Sequence, residues 1–131
     1  MLVDTDVLIW NFRGNLNAAN MLDKADRFTI SAVSYMELVQ GVRNKGELQS
    51  LRRAIRFWGA AIQSIDTDIS ARAMYLVESY ALSHGMQMAD ALIASTALSI
   101  GVPLLTANDK HFRQVDDLEI MVFRPEGATT R

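Results

Sequence analysis

Apolar residues in this chain fall into short unbroken runs separated by longer stretches at helical spacing, the alternation expected when strands and helices take turns. Leu2–Val3 begins a short strand that passes into helix near VLIWNF, and LNAANMLDKA (16–25) fits a second helix. Phe28 to Ile30 reads as a strand. SAVSYMELVQGV (31–42) has helical spacing after Ser31 or Ser34, with Gly41 and Gly46 bracketing its exit. From Glu47 to Trp58, the residues Leu48, Leu51, Ile55 and Trp58 form one stripe while Arg52, Arg53 and Arg56 lie off it, as in an amphipathic surface helix. Ala61–Ile65 is the third expected strand. Asp66 to Ser70 offers caps for a long helix that stops near His84 and Gly85. Met88–Ile100 is the most apolar helix, ended by Gly101; VPLLT (102–106) then reads as a buried strand and LEIMVF (118–123) as the last one.

Strands alternating with helices imply right-handed crossovers and an α/β fold with a mostly parallel sheet covered on both faces. In such sheets ligands gather beyond the carboxyl ends of the strands. Asp4 stands at one such end and TANDKHF (106–112) at another.

No fixed-period repeat interrupts the pattern, and half of the 131 residues are apolar, so one domain over 1–131 is expected, with PEGATTR (125–131) as a short tail. A chain of this size buries roughly 65–70% of its unfolded surface. The absence of cysteine excludes disulfides and thiolate metal sites and suits a reducing cytoplasm. With no basic leader and no apolar run of membrane-spanning length, a soluble, unprocessed protein with no membrane partner is expected. The net charge of −2 and a pI near 5.6 argue against a constitutively basic nucleic-acid binder. A divalent cation held by clustered acids would reverse that sign locally.

Each acid also has an ordinary structural use. Asp4 could cap the first helix, although Thr5 or Asp6 could do so instead, and Asp6 reads as a cap or a support. Glu37 completes an S-x-x-E capping box if the helix starts at Ser34; from Ser31 it falls in the second turn instead. Asp90 is the only charge in MQMADALIASTALSI (86–100), where the helix dipole alone would not offset desolvation. Asn108 and Asp109 could form a turn or cap a short helix. His84 and His111 are far apart along the chain, which offers no histidine-pair acid–base mechanism. Together, however, four distant segments deliver acids to strand ends and helix starts. Carboxylates sharing one pocket raise each other's pKa unless a cation sits among them, and hard oxygen donors without Cys or paired His select Mg²⁺ or Mn²⁺.

DTDVLIW (4–10), S-x-x-EL-x-x-G (34–41), ADALIASTA (89–97) and LLTANDKHF (104–112) resemble, in order and spacing, the PIN-domain ribonucleases, and most of all the VapC-type toxins of toxin–antitoxin pairs. The resemblance spans essentially the whole chain. It implies a three-layer α/β/α sandwich, Mg²⁺-dependent RNA cleavage with Mn²⁺ as a substitute, and a homodimer neutralised by a cognate VapB-type antitoxin. By position it makes Asp4 and Asp90 the principal metal ligands and Glu37 the third acid. Many members carry a fourth acid two residues after the Thr; this chain has Asn108 there and Asp109 next, either of which could tune the site.

The expected chemistry is metal-assisted phosphodiester hydrolysis, with Asp4 and Asp90 holding the ion, Glu37 binding it or orienting water, and Thr106 hydrogen-bonding a ligand carboxylate. Arg13, Arg43, Lys45, Lys110 and Arg113 are candidate RNA contacts near the strand ends. The target is expected to be tRNA or another structured RNA. Two other readings compete. LVDTDVL also looks like the D-x-D opening of haloacid-dehalogenase-type phosphatases, with Asp4 as nucleophile and Asp6 as acid–base. A PIN-fold module of weak catalytic competence is the non-enzymatic alternative, with the Leu48/Leu51/Ile55/Trp58 helix as a groove for a partner.

Overall fold

The computed structural model describes residues 1–126. Among them, five strands form one sheet in the order β3-β2-β1-β4-β5, with every neighbouring pair parallel. Strand β1 is Leu2–Val3, β2 is Thr29–Ser31, β3 is Ala61–Gln63, β4 is Leu104–Thr106 and β5 is Ile120–Val122. The helices are α1 (Thr5–Phe12), α2 (Leu16–Lys24), α3 (Ala32–Gly41), α4 (Lys45–Trp58), α5 (Thr67–His84) and α6 (Met88–Ile100), with a 3₁₀ turn at Asp109–His111. This is the expected α/β/α sandwich.

Register explains the two cores. Leu2 pairs with Leu104 and Val3 with Leu105, and consecutive strand residues point to opposite faces. Leu2 and Leu104 therefore join Ile93, Ala94 and Phe112 on the α5/α6 side, while Val3 and Leu105 join Val7, Leu8 and Leu22 on the other. All ten are essentially withdrawn from solvent. The stripe on α4 belongs to the second core: Leu51 is buried there, with Leu48, Ile55 and Trp58 packed against the cluster. It is core packing rather than an open seat for a partner helix.

Several boundaries differ from expectation for local reasons. Val102 cannot start β4 because its amide is bonded to the Ala97 carbonyl, completing the exit of α6 through Gly101 in the left-handed region. Pro103 has no amide to offer, so the strand begins at Leu104. Strand β2 lies one residue later than 28–30, β3 stops at Gln63 and β5 contracts to 120–122. Helix α4 starts at Lys45, two residues early, because the Asn44 side chain accepts from the Glu47 amide. The tail expected at 125–131 falls outside the described residues beyond Glu126. No described helix is long and apolar enough to cross a membrane.

One buried polar atom has no fold role. The Ser95 hydroxyl on α6 is fully enclosed and meets no hydrogen-bond partner. Ser95→Ala removes that unmet group and raises helix propensity. Its unfolding free energy is expected to rise by ~1 kcal/mol in urea titration; a loss of stability would show that the hydroxyl is satisfied.

Candidate active site

Between β1 and β4 the strand order reverses, and a doubly wound sheet opens its ligand crevice at the carboxyl ends flanking such a switch point. The two strands deliver Asp4 and Thr106 there. Asp4 is the N-cap of α1, its Oδ1 accepting from the Thr5 amide at 2.8 Å, so it performs the capping that Thr5 or Asp6 could have done. Its other oxygen, Oδ2, accepts from Thr106 Oγ1 at 2.8 Å. Asp4 is 6% exposed. That burial, together with the Asp6 and Asp90 carboxylates, pushes its pKa up to about 8, against the bonds from Thr106 and Thr5.

Asp6 is used differently. Its Oδ2 accepts from the Ala107 amide at 3.1 Å and from Asn108 Nδ2 at 2.8 Å, which ties α1 to the loop after β4. The Thr106 hydroxyl, spent on Asp4, accepts from the Asn108 amide at 2.9 Å. Burial raises the Asp6 pKa above the ordinary range, and its Oδ1 is enclosed without a partner.

Glu37 is presented by α3, whose cap is Ser31: its hydroxyl accepts from the Val33 amide at 3.0 Å. Of the two possible starts, the structure takes the one that leaves Glu37 free of a capping box. Thr5 Oγ1 lies 2.7 Å from Glu37 Oε1 and 2.8 Å from Ser34 Oγ. An ionised carboxylate only accepts, so Thr5 donates to Glu37 and takes its own hydrogen bond from the buried Ser34. Asp90 lies in the first turn of α6, where negative charge is favoured. Burial raises its pKa, His111 pulls it down and Glu37 pushes it up again. His111 Nδ1 stands 3.5 Å from Asp90 Oδ2.

The structure thus groups Asp4, Glu37 and Asp90 electrostatically, with Thr106 and Asp6 as supports. Asn108 is committed to Asp6. Asp109 is the main departure: its side chain is buried between Arg113 and Arg124, with Arg124 Nη2 3.1 Å from Oδ1 and Arg113 Nε 3.1 Å from Oδ2. Burial pushes Asp109 up, but the two guanidinium groups hold it below the usual carboxylate range. It anchors the loop and offers no free oxygen to a metal. Arg113 is correspondingly occupied, and Arg43 forks onto Glu47. Arg13, Lys45 and Lys110 are exposed and form no ion pair among the described residues. Sequence reasoning missed Thr5, Ser34 and His111. Ser34 lies one turn before Glu37 on the same helical face, and His111 lies in the loop at the switch point; those positions were the available signals.

The donors suit a hard divalent ion. All are carboxylate oxygens, and Asp4, whose pKa is raised first by burial and then by the Asp6 and Asp90 carboxylates, is a group whose charged form a cation would favour. Among the described residues no group of three or more His, Asp or Glu side chains is close enough to hold a metal ion together. An open cluster fits Mg²⁺, which keeps several waters and takes only one or two carboxylates directly.

Comparison with known proteins gives a consistent picture. A family model described as PIN domain matches residues 1–118. Ribonuclease VapC19 of Mycobacterium tuberculosis is 32% identical over 124 residues, covering 90% of this chain and 96% of that protein. Ribonuclease VapC10 of the same species is 33% identical over 123 residues, covering 91% and 90%. Among solved structures, a toxin–antitoxin complex from Klebsiella pneumoniae superposes with a TM-score of 0.76 at 29% identity, covering 95% of this chain and 96% of that one. FitAcB from Neisseria gonorrhoeae gives 0.70 at 26% identity, covering 97% and 99%.

Proposed function

Because the chain belongs to the PIN-domain family and is similar to VapC ribonucleases over nearly its whole length, we propose that it is a Mg²⁺-dependent endoribonuclease toxin, with Mn²⁺ able to substitute. Its substrate class is tRNA or another structured RNA. The observation that carries this reading is the placement of buried Asp4 beside the Asp90 carboxylate, with Glu37 acting on Asp90 in turn, at the sheet's switch point. Family membership overturns the phosphatase reading. Asp6 is accordingly a brace for the 106–108 loop, not an acid–base partner of Asp4.

Asp4 and Asp90 would hold the ion, with Glu37 orienting the attacking water. A bound Mg²⁺ would neutralise charge on the phosphodiester and acidify that water. Thr106 fixes the rotamer of Asp4, and Thr5 fixes that of Glu37 through hydrogen bonds made before any ligand arrives. Arg13, Lys45 and Lys110 remain open to RNA phosphates; Arg43 and Arg113 reach them only by leaving their carboxylate partners. The Klebsiella pneumoniae relative is a toxin–antitoxin complex, which supports a VapB-type antitoxin as the neutralising partner; a homodimer as the active assembly and the cytoplasm as its place of action belong to the same proposal.

The test is incubation of the purified chain with total RNA in Mg²⁺, with and without a chelator, followed by Mn²⁺ add-back. Discrete fragments are expected with either metal and none under chelation. Cleavage that persists in chelator overturns the metal mechanism. Tight Mn²⁺ binding without any cleavage makes the chain a binding module.

A further inference from the structure

Beside the acidic cluster lies a cavity of about 560 Å³ that the expected chemistry leaves unused. Helix α1 lines it with Ile9, Phe12 and Arg13, α3 with Glu37 and Gly41, and α4 with Leu51. Glu37 belongs to both spaces, so the cavity opens directly off the place where a scissile phosphate would sit. Its walls are mostly apolar. Phe12 stays 43% exposed although its ring also packs 5.9 Å from Trp58. Arg43 at the rim is neutralised by Glu47, which leaves Arg13 as a cation with no carboxylate partner among the described residues.

A half-exposed aromatic face, a free guanidinium plane and an apolar floor form the recognition set for an unstacked nucleobase. Sequence-selective RNA readers take splayed bases from loops and ends on such surfaces. Charge complementarity favours RNA as the occupant: a strand whose scissile phosphate lies over the acidic cluster brings a neighbouring phosphate toward Arg13, which lines the cavity. We infer that this cavity binds a nucleobase flanking the scissile phosphodiester, and thereby selects which bond of the RNA is cut. The inference rests on the ribonuclease reading above.

Gly41 provides the means to test it. It lies one turn after Glu37 on α3, on the same helical face, and a Cβ built there meets nothing within 4 Å. Gly41→Leu therefore projects into the cavity without a backbone clash and leaves every carboxylate in place. On a synthetic RNA spanning the mapped cleavage site, the variant is expected to lose at least about tenfold in kcat/KM, the scale of one lost base–aromatic stack. Replacing one flanking nucleoside by an abasic ribose should cost the native protein a similar factor, and the two losses should not multiply. Calorimetric Mn²⁺ affinity and Tm should be unchanged.

Anisotropy of the same labelled RNA with Ca²⁺ as the ion gives a readout independent of turnover, and Gly41→Leu should weaken binding by a similar factor. If the native chain cleaves no RNA but binds a structured RNA in a way that Gly41→Leu weakens, the ribonuclease reading falls together with the selection of a scissile bond, while base binding in the cavity stands. Native-like RNA binding and cleavage by Gly41→Leu overturns the pocket. So does a variant that keeps native RNA binding and cleavage but escapes neutralisation by its antitoxin, which would make the cavity a protein seat.

Discussion

Asp4→Asn is expected to abolish metal-supported RNA cleavage while making the metal-free protein more resistant to heat at pH 8. The two effects share one cause. The Asp4 carboxyl is buried beside Asp6 and Asp90, and its pKa rises from 3.8 to about 8. For an acid whose folded pKa is raised, the associated stability is fully present below the unfolded value and is lost as pH climbs through the folded one. Wild-type stability should therefore fall between about pH 4 and pH 8 in chelator, and the variant should not share that part of the decline. Asn caps a helix as well as Asp, so α1 keeps its start. One hydrogen bond, to Thr5 or Thr106, is weakened, but the relief of a buried charge is larger. At pH 8 the variant's Tm should exceed that of wild type by about 5 °C, the shift that ~1–2 kcal/mol produces in a chain of this size. Mg²⁺ should stabilise the wild type and not the variant. Turnover should drop at least about a hundredfold, equivalent to ~3 kcal/mol of lost transition-state stabilisation. If Asp4 is only a cap, activity survives; if burial does not raise its pKa, the Tm difference does not change with pH.

Phe112→Ala should be the most destabilising substitution near the site. Phe112 is fully buried in the α5/α6 cluster, directly after the 3₁₀ turn that carries Asp109 and His111. Its amide closes that turn on the Asp109 carbonyl at 3.0 Å. Removing the ring costs the transfer free energy and leaves a cavity, together ~3–5 kcal/mol. Urea unfolding measures this, with Phe112→Leu expected to recover about half and the exposed Lys110→Ala to stay within about 0.5 kcal/mol of wild type. Cleavage should also fall at temperatures where the variant is still folded, because the loop holding Asn108 against Asp6 and His111 against Asp90 loses its anchor. A loss below about 1 kcal/mol would mean that the loop is held by the Asp109 ion pairs instead.

Those ion pairs show where reading along the chain stops. Asp109 and Asn108 are equal candidates for a fourth acidic position, since both follow β4 and neither has a periodic pattern to assign it. The fold separates them by bringing Arg124 from beyond β5 onto Asp109 and Asp6 from α1 onto Asn108. Glu37 is a different case. Its two readings hinged on the helix start, and the Ser31 cap is local chemistry that was visible but not decisive. His111 was invisible because its partner, Asp90, lies on another helix.

By itself, the sequence determined the alternation of strands and helices, the two apolar faces of the sheet, and the delivery of Asp4 to a strand end and Asp90 to a helix start. These are consequences of periodicity and capping, which act over a few residues and leave a repeating trace. Only the tertiary structure decided which carboxylates remain free. It spends Asp109 on two arginines, makes Asp6 a brace, supplies Thr5 and Ser34 to Glu37, and opens a cavity beside the site. Each depends on side chains from different elements meeting across the sheet, and a side chain's charge and pKa are set by those neighbours rather than by its place in the chain.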